Sequence, residues 1–169
     1  MEKKLSKDDL INKEILNELF TYNDGVLYWK KKVSDKVCVG SPVGSIKNDG
    51  YLRTKINRID YSNHRIIFMM HHGYLPKILD HIDGDRLNNK IENLRAASPN
   101  ENLYNSKKSV INTTGKKGVS WIKKRQRYRV AVLVDKKYKF CGYFKDFELA
   151  CLVSDEARSK FHKEFARHE

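Results

Sequence analysis

An imidazole and several oxygen-bearing side chains lie close together in the sequence between residues 80 and 102. Asp80 and His81 are adjacent, and Asn93 and Asn102 follow them. Hydrolysis of a phosphodiester requires an activated water, neutralised charge at phosphorus and a stabilised leaving oxygen. One imidazole base and one or two oxygen ligands are sufficient, because Mg²⁺ prefers oxygen and keeps several waters. This stretch therefore carries the groups needed for metal-assisted phosphodiester hydrolysis.

A hairpin followed by a short helix is predicted to position these side chains. Asp80 and His81 are expected on a first strand, where neighbouring side chains diverge, and Asn93 on the returning strand. The Ser-Pro-Asn-Glu run starting at Ser98 has the spacing of a capping box with proline at the first helical position. Asn102 is therefore expected in the first turns of a helix. The predicted order is strand, loop, strand, helix.

The sequence before residue 60 is predicted to be strand-rich after one short helix. Four apolar residues have helical spacing near the N-terminus: Ile11, Ile15, Leu16 and Leu19. Asp24-Gly25 and Asn48-Asp49-Gly50 interrupt β-forming runs and indicate hairpins. A second helix is predicted from Ser62 or Asn63 to a stop at Gly73.

The C-terminal part is predicted to be a three-stranded antiparallel sheet with a helix. The strands are expected at 118–123, 127–134 and 137–144, and the helix at 147–165. One face of this helix is predicted to hold Phe147, Ala150, Cys151, Ser154, Ala157 and Phe161. The fold class is therefore α+β, with a strand-rich region at 1–60, a central module at 61–108 and a C-terminal domain at 109–169.

Positive charge is concentrated in one segment. The formal net charge is +13, and residues 106–139 contain nine lysines and three arginines against the single acid Asp135. Such a basic surface is typical of polyanion binders, although a merely solvated face remains an alternative. The polar run Met1–Leu10 is not expected to be a secretory signal, and no apolar run reaches the roughly 18 residues of a membrane span. The three cysteines, Cys38, Cys141 and Cys151, are expected to be packed thiols in a reducing compartment.

The central stretch resembles the HNH endonuclease motif, and more narrowly its phage and intron-encoded homing branch. The resemblance covers roughly residues 63–105 and rests on Asp80–Asn89, on Ile91–Arg95 and on Glu101-Asn102. It implies a ββα-metal module in which His81 is the general base and Asn93 orients the imidazole or the loop. It further implies that Asp80 and Asn102 bind one divalent ion, Mg²⁺ or Mn²⁺.

Several alternatives remain open within this stretch. Asn105 is a weaker alternative to Asn102, and Asp83-Gly84-Asp85 is more simply a turn than a metal site. His64, His71 and His72 are more simply satisfied helix histidines than zinc ligands, because no matching cysteine or fourth ligand is present. Three arginines of the stretch are further candidates for DNA contact: Arg65, Arg86 and Arg95.

The segment 111–166 resembles the APETALA2-type DNA-binding domain. The resemblance rests on Gly118–Trp121, Tyr128–Ala131, Phe140–Phe144 and Glu148–Ala150. It implies a sheet that lies in the major groove and contacts bases and phosphates. The candidate DNA-binding residues are Trp121, Lys123, Arg125, Arg127 and Arg129, although Trp121 is equally well explained as a core residue.

Together these features predict a metal-dependent endonuclease acting on double-stranded DNA, a phage homing enzyme in the host cytoplasm. Neither a membrane nor a small-molecule substrate is expected. A single ββα site cuts one strand, so a monomer is expected to nick, although a transient dimer is an alternative. A non-catalytic DNA-binding protein and a restriction or packaging nuclease are the rival hypotheses.

Overall fold

A computed structural model describes residues 10–168, which contain both helices and small antiparallel sheets. The predicted α+β class is confirmed. The polar N-terminus that was predicted not to be a signal lies outside the described residues, except for Leu10. Among the helices of residues 10–168, none is long and apolar enough to cross a membrane. The chain divides after Ala96 into two compact units.

The first unit consists of short helices and strands in close succession. They are α1 Lys13–Leu19, β1 Phe20–Asn23, β2 Val26–Trp29, β3 Ser45–Ile46, β4 Leu52–Ile56, β5 Ile59–Ser62, α2 Asn63–His72, β6 Ile78–His81 and β7 Leu94–Ala97, whose last residue begins the second unit. These strands form three separate sheets. One consists of β1 and β2, the second of β3, β4 and β5 in that order, and the third of β6 and β7.

Both predicted hairpins are confirmed, and a further strand is present. Asp24 and Gly25 have φ values of 43° and 87°, as a two-residue turn with both central residues left-handed requires. β3 and β4 flank the second predicted turn, with Ser45 opposite Arg53. The strand β5 was not predicted. Its turn from β4 is formed by Asn57-Arg58, both with positive φ, so no glycine marks it in the sequence.

One core holds the first unit together. Its buried members come from both helices, from β1, β2, β4, β5 and β7 and from two loops, and include Leu16, Phe20, Leu27, Ile66 and Leu94. The predicted end of α2 at Gly73 is confirmed by a left-handed φ of 75°. Residues from both sides of position 60 therefore share the same apolar core.

The second unit is a three-stranded antiparallel sheet with two helices. The elements are α3 Pro99–Tyr104, β8 Val119–Ile122, β9 Arg127–Val134, β10 Lys137–Phe144 and α4 Phe147–His162, with β9 in the centre of the sheet. The three predicted strands are confirmed within a residue or so. The capping box of α3 is also confirmed, because Ser98 and Glu101 exchange the two expected hydrogen bonds.

The buried face of α4 differs from the prediction. Ala150 and Ser154 are buried as expected, but the other buried positions are Arg158 and His162, and Phe147 is exposed. Arg158 donates to the carbonyl of Lys117 at 3.0 Å, and His162 Nε2 lies 2.7 Å from the carbonyl of Leu133. These polar side chains are buried because they satisfy backbone carbonyls, which apolar periodicity does not indicate.

A β-bulge at Cys141 determines which side chains the outer face of the sheet displays. Phe140 lies opposite Ala131 and Gly142 lies opposite Val130, so Cys141 is an extra residue. A strand with strict alternation would place Phe140 and Tyr143 on opposite faces. The bulge instead places both rings on the face opposite α4.

Tyr104 anchors α3 within the second unit. Its ring stacks on His162 at 4.0 Å between centroids and 8° between planes. Its hydroxyl accepts from the N–H of Asp135 at 2.9 Å and donates to that carboxylate at 3.3 Å.

The cysteines are all free thiols. Cys38 is exposed, so the prediction of a packed thiol is wrong at that position, while Cys141 and Cys151 are half-buried. Cys38 lies in a loop between β2 and β3 that places few side chains over it.

Candidate active site

Asp80 and His81 end the strand β6 and are both buried, with 7% and 4% of their surfaces exposed. Their position on a strand is as predicted. Arg95 on β7 donates to Asp80 Oδ2 from both Nε and Nη2, each at 3.0 Å. Both contacts reach the same carboxylate oxygen, so the guanidinium pairs the charge of Asp80 at Oδ2.

Asn93 was predicted on the returning strand, but it lies one residue before that strand, β7. It is the last residue of a 3₁₀ turn, Ile91–Asn93, so its prediction as a strand residue is wrong. Its amide donates to Asp83 Oδ1 at 2.9 Å and to the Asn88 carbonyl at 2.8 Å, and its oxygen accepts from the Asp83 N–H at 3.1 Å. Asn93 thus forms hydrogen bonds to both ends of the loop that follows His81, at Asp83 and at Asn88.

The loop after His81 uses its acidic side chains internally. Asp83 accepts from the Asp85 N–H at 2.8 Å and from Asn88 Nδ2 at 2.6 Å, and Asp85 accepts from the Leu87 N–H at 2.9 Å. Partial burial would raise the pKa of Asp83, but hydrogen bonds from Asp85, Asn88 and Asn93 hold it below its ordinary value. These contacts are those of a turn.

Three side chains that the sequence analysis did not assign to the site surround the ring of His81. Asn89, only 2% exposed, places Oδ1 3.1 Å from His81 Nε2. The His64 ring meets His81 edge-on at 5.0 Å and 66°, and Tyr51 lies 5.0 Å from His64 and 6.0 Å from His81. The only signal in the sequence that could have pointed to these residues is the asparagine pair at 88 and 89, and such a pair is equally typical of a turn.

His64 is a neutral histidine in this surrounding. Burial, followed by the charges of His81, Arg65 and Arg53, lowers the pKa of His64 to about 3. Its Nδ1 is buried without a hydrogen-bond partner, so the expectation of a satisfied helix histidine is wrong. His71 and His72 lie elsewhere on α2, packed against Tyr22 and against Phe68 with Tyr74, respectively.

The β1–β2 hairpin holds the segment that carries Asn89. A Cβ added to Gly25 would lie 3.0 Å from the backbone nitrogen of Lys90, so only glycine allows this approach. Lys90 also forms a 2.8 Å ion pair with Asp24, and the Tyr22 hydroxyl accepts from the Ile91 N–H at 3.0 Å. The N-terminal hairpin is therefore part of the framework of the site.

The donor set of the first unit suits a hard cation. Asp80 offers a carboxylate, the ligand type that Mg²⁺ and Mn²⁺ prefer. Within residues 10–168, no group of three or more His, Cys, Asp or Glu side chains is arranged to hold a metal, and a Mg²⁺ site that retains several waters needs fewer protein ligands. Asn102 lies on α3 in the second unit and is exposed, and Asn105 caps that helix and is buried.

The arginines predicted to contact DNA near the site have different surroundings. Arg86 is exposed, donates to the Asp49 carbonyl at 2.7 Å and lies 5.0 Å from the Tyr51 ring. Arg65 is half-buried and donates to the Pro76 carbonyl at 3.3 Å. Arg95 is directed to Asp80, and its contact with DNA stays a prediction.

The predicted DNA-binding residues of the second unit separate onto two faces. Arg129 lies opposite Ser120 and Tyr143 on the outer face, together with Arg127. Trp121 pairs with Tyr128, whose ring packs on Phe147 of α4. Trp121 therefore belongs to the helix-side face, although it is 40% exposed.

The turn between β8 and β9 continues the outer basic surface. Lys123 and Arg125 lie in an exposed 3₁₀ turn. The Arg125 guanidinium lies 4.8 Å from the Tyr143 ring, and the Phe140 and Tyr143 rings are 5.0 Å apart. Exposed cations and aromatic rings thus share one surface.

Comparison with known proteins agrees with this geometry. Residues 61–104 match the HNH endonuclease family. Protein 3.8 of Escherichia phage T7 is 39% identical over 99 residues, which are 56% of this chain and 79% of that protein. No solved structure matches the chain significantly. The chain therefore belongs to the same family as Protein 3.8 of phage T7, and its residues 61–104 form an HNH endonuclease domain.

Proposed function

We propose that this chain is a metal-dependent DNA endonuclease in which His81 removes a proton from the attacking water. The observation that carries the proposal is the buried Asp80–His81 pair at the end of β6, inside the HNH match and followed by a loop tied by Asn93. An imidazole is well suited to this step, because its ordinary pKa lies near neutral pH.

Asp80 and Asn102 are the proposed metal ligands. Arg95 contacts Asp80 Oδ2 through Nε and Nη2, and the assignment of Asn102 follows from the family motif. Bound Mg²⁺ or Mn²⁺ would neutralise charge at the scissile phosphate and on the leaving oxygen. Asn93 acts through the loop that follows His81.

The outer face of the second unit's sheet is the proposed DNA-binding surface. Arg127, Arg129 and Arg125 place cations there beside aromatic rings. Lys123 and Lys124 lie in the adjoining turn. Guanidinium groups bind phosphates and guanine edges. The resemblance to APETALA2-type domains supports this assignment. The phage relative supports a phage origin, and the resemblance to the homing branch of HNH enzymes supports a homing endonuclease. With a single site per chain, a monomer should nick.

The test is cleavage of supercoiled plasmid and genomic phage and host DNA with Mg²⁺ or Mn²⁺, with mapping of the ends on each strand. EDTA should abolish cutting. His81→Ala should lower the rate by about 10²–10⁴-fold, the usual contribution of a positioned base, with DNA affinity unchanged. His72→Ala, at an exposed histidine of α2, is the matched control and should cut normally.

The outcomes separate the rival functions. Loss of cutting in His81→Ala with DNA binding retained supports the nuclease, and cuts at rare long sites support homing. Frequent short sites indicate a restriction-type enzyme. Specific binding without cleavage under any metal condition would overturn the nuclease proposal in favour of a non-catalytic DNA-binding protein.

A further inference from the structure

We propose that Asn89 is a positioning residue that fixes His81 in the tautomer protonated at Nε2. This rests on the proposed role of His81 as the base. Asn89 Oδ1 lies 3.1 Å from Nε2, and both side chains are almost fully buried, with 2% and 4% exposed. A carboxamide oxygen only accepts hydrogen bonds, so this contact requires the proton on Nε2.

The tautomer decides which nitrogen can act as a base. A neutral imidazole carries one N–H and one lone pair, so protonation at Nε2 places the lone pair on Nδ1. When water is deprotonated, its proton goes to Nδ1, hydroxide attacks phosphorus, and the alkoxide leaves. The Nε2–H remains bonded to Asn89, and this bond strengthens as the ring becomes cationic.

The framework around Asn89 is rigid enough for this role. The backbone beside it is held by the close approach of Gly25 to Lys90 and by the Lys90–Asp24 ion pair. On the other side, Asn93 binds the carbonyl of Asn88 at 2.8 Å.

The ring of His81 is restrained as well. His64 and Tyr51 pack around the ring at 5.0 and 6.0 Å between centroids. Imidazole and acceptor are therefore both held in place, which is the arrangement expected of a residue that orients a base.

The experiment measures the tautomer directly, without metal or DNA. Two-bond ¹H–¹⁵N correlation spectra of the ¹⁵N-labelled full chain at pH 8 distinguish protonated from unprotonated ring nitrogens, and His81→Gln assigns the signal. The wild type should show the Nε2–H form. Asn89→Asp should show the same form, because a carboxylate can only accept. Asn89→Leu should shift the population toward Nδ1–H. Asn17→Leu, at a half-buried asparagine of α1, is the matched control that should not.

Kinetics provide the second readout. Asn89→Leu should lower kcat by up to about 10⁴-fold, the effect of presenting the wrong tautomer of a catalytic histidine, and leave KM for DNA unchanged. Asn89→Asp should recover most of kcat. An Nδ1–H wild type, or a changed tautomer in Asn89→Asp, would overturn the assignment even if Asn89→Leu fails to fold. Correct tautomers in a chain that never cuts DNA would instead refute the proposed nuclease function alone.

Discussion

Mild acidification should destabilise the first unit through His64. Burial, with the charges of His81 and Arg65, lowers the pKa of His64 to about 3, against an ordinary value of 6.5. The unfolded chain therefore takes up this proton at a higher pH than the folded chain. Stability is fully present above pH 6.5, declines below it, and stops declining near pH 3. At 1.36 kcal/mol per pH unit, the loss between pH 8 and pH 5 is about 2 kcal/mol.

Urea unfolding of a Trp121→Phe background measures this loss. Trp29 on β2 is then the one tryptophan left in the chain, and its fluorescence reports on the first unit. His64→Gln should remove about 2 kcal/mol of the pH dependence, whereas His72→Gln, at an exposed position of the same helix, should retain it. An equal loss in wild type and His64→Gln would refute the reasoning, since other groups would then account for the whole effect.

Three further changes have defined outcomes. Asn93→Ala removes three hydrogen bonds of the loop and should lower the free energy of unfolding by about 3 kcal/mol, measured by urea titration. Asp155→Ala removes the 3.0 Å partner of Arg158, whose side chain is 1% exposed. Because Asp155 is one-third exposed, the cost should be about 2–3 kcal/mol in thermal unfolding, below the full range for buried pairs. Changing Arg127 and Arg129 together to Gln should reduce the salt slope of DNA binding by about two, and an unchanged slope would place DNA elsewhere.

Local signals in the sequence predicted most of the elements. The Asp24-Gly25 turn, the Ser98 capping box and the stop at Gly73 each depend on the backbone chemistry of a few neighbouring residues, which is why their positions were right. The strand β5 was missed because Asn57-Arg58 adopt positive φ without glycine. The buried face of α4 was partly wrong because long-range carbonyls bind its polar residues.

For the site itself, the sequence predicted residues that are neighbours in the motif but not those that approach only in the folded structure. Asp80 and His81 were identified because they are adjacent in a recognisable motif. Tyr51, His64 and Asn89 come from three separate elements, and their convergence around one ring is a property of tertiary packing. No periodicity or spacing in a single sequence encodes such a convergence.

Asn89 and Tyr104 are held by residues outside the segment 61–104 that matches the HNH family. This segment is therefore not expected to fold in the same way when it is transferred alone into another protein. A fragment of residues 61–104 would lose the Gly25 hairpin that holds Lys90. It would also keep Tyr104 while losing His162 and Asp135, its stacking and hydrogen-bonding partners. Transfer of this segment into another chain should therefore succeed only if the recipient supplies an equivalent hairpin upstream and an aromatic platform downstream.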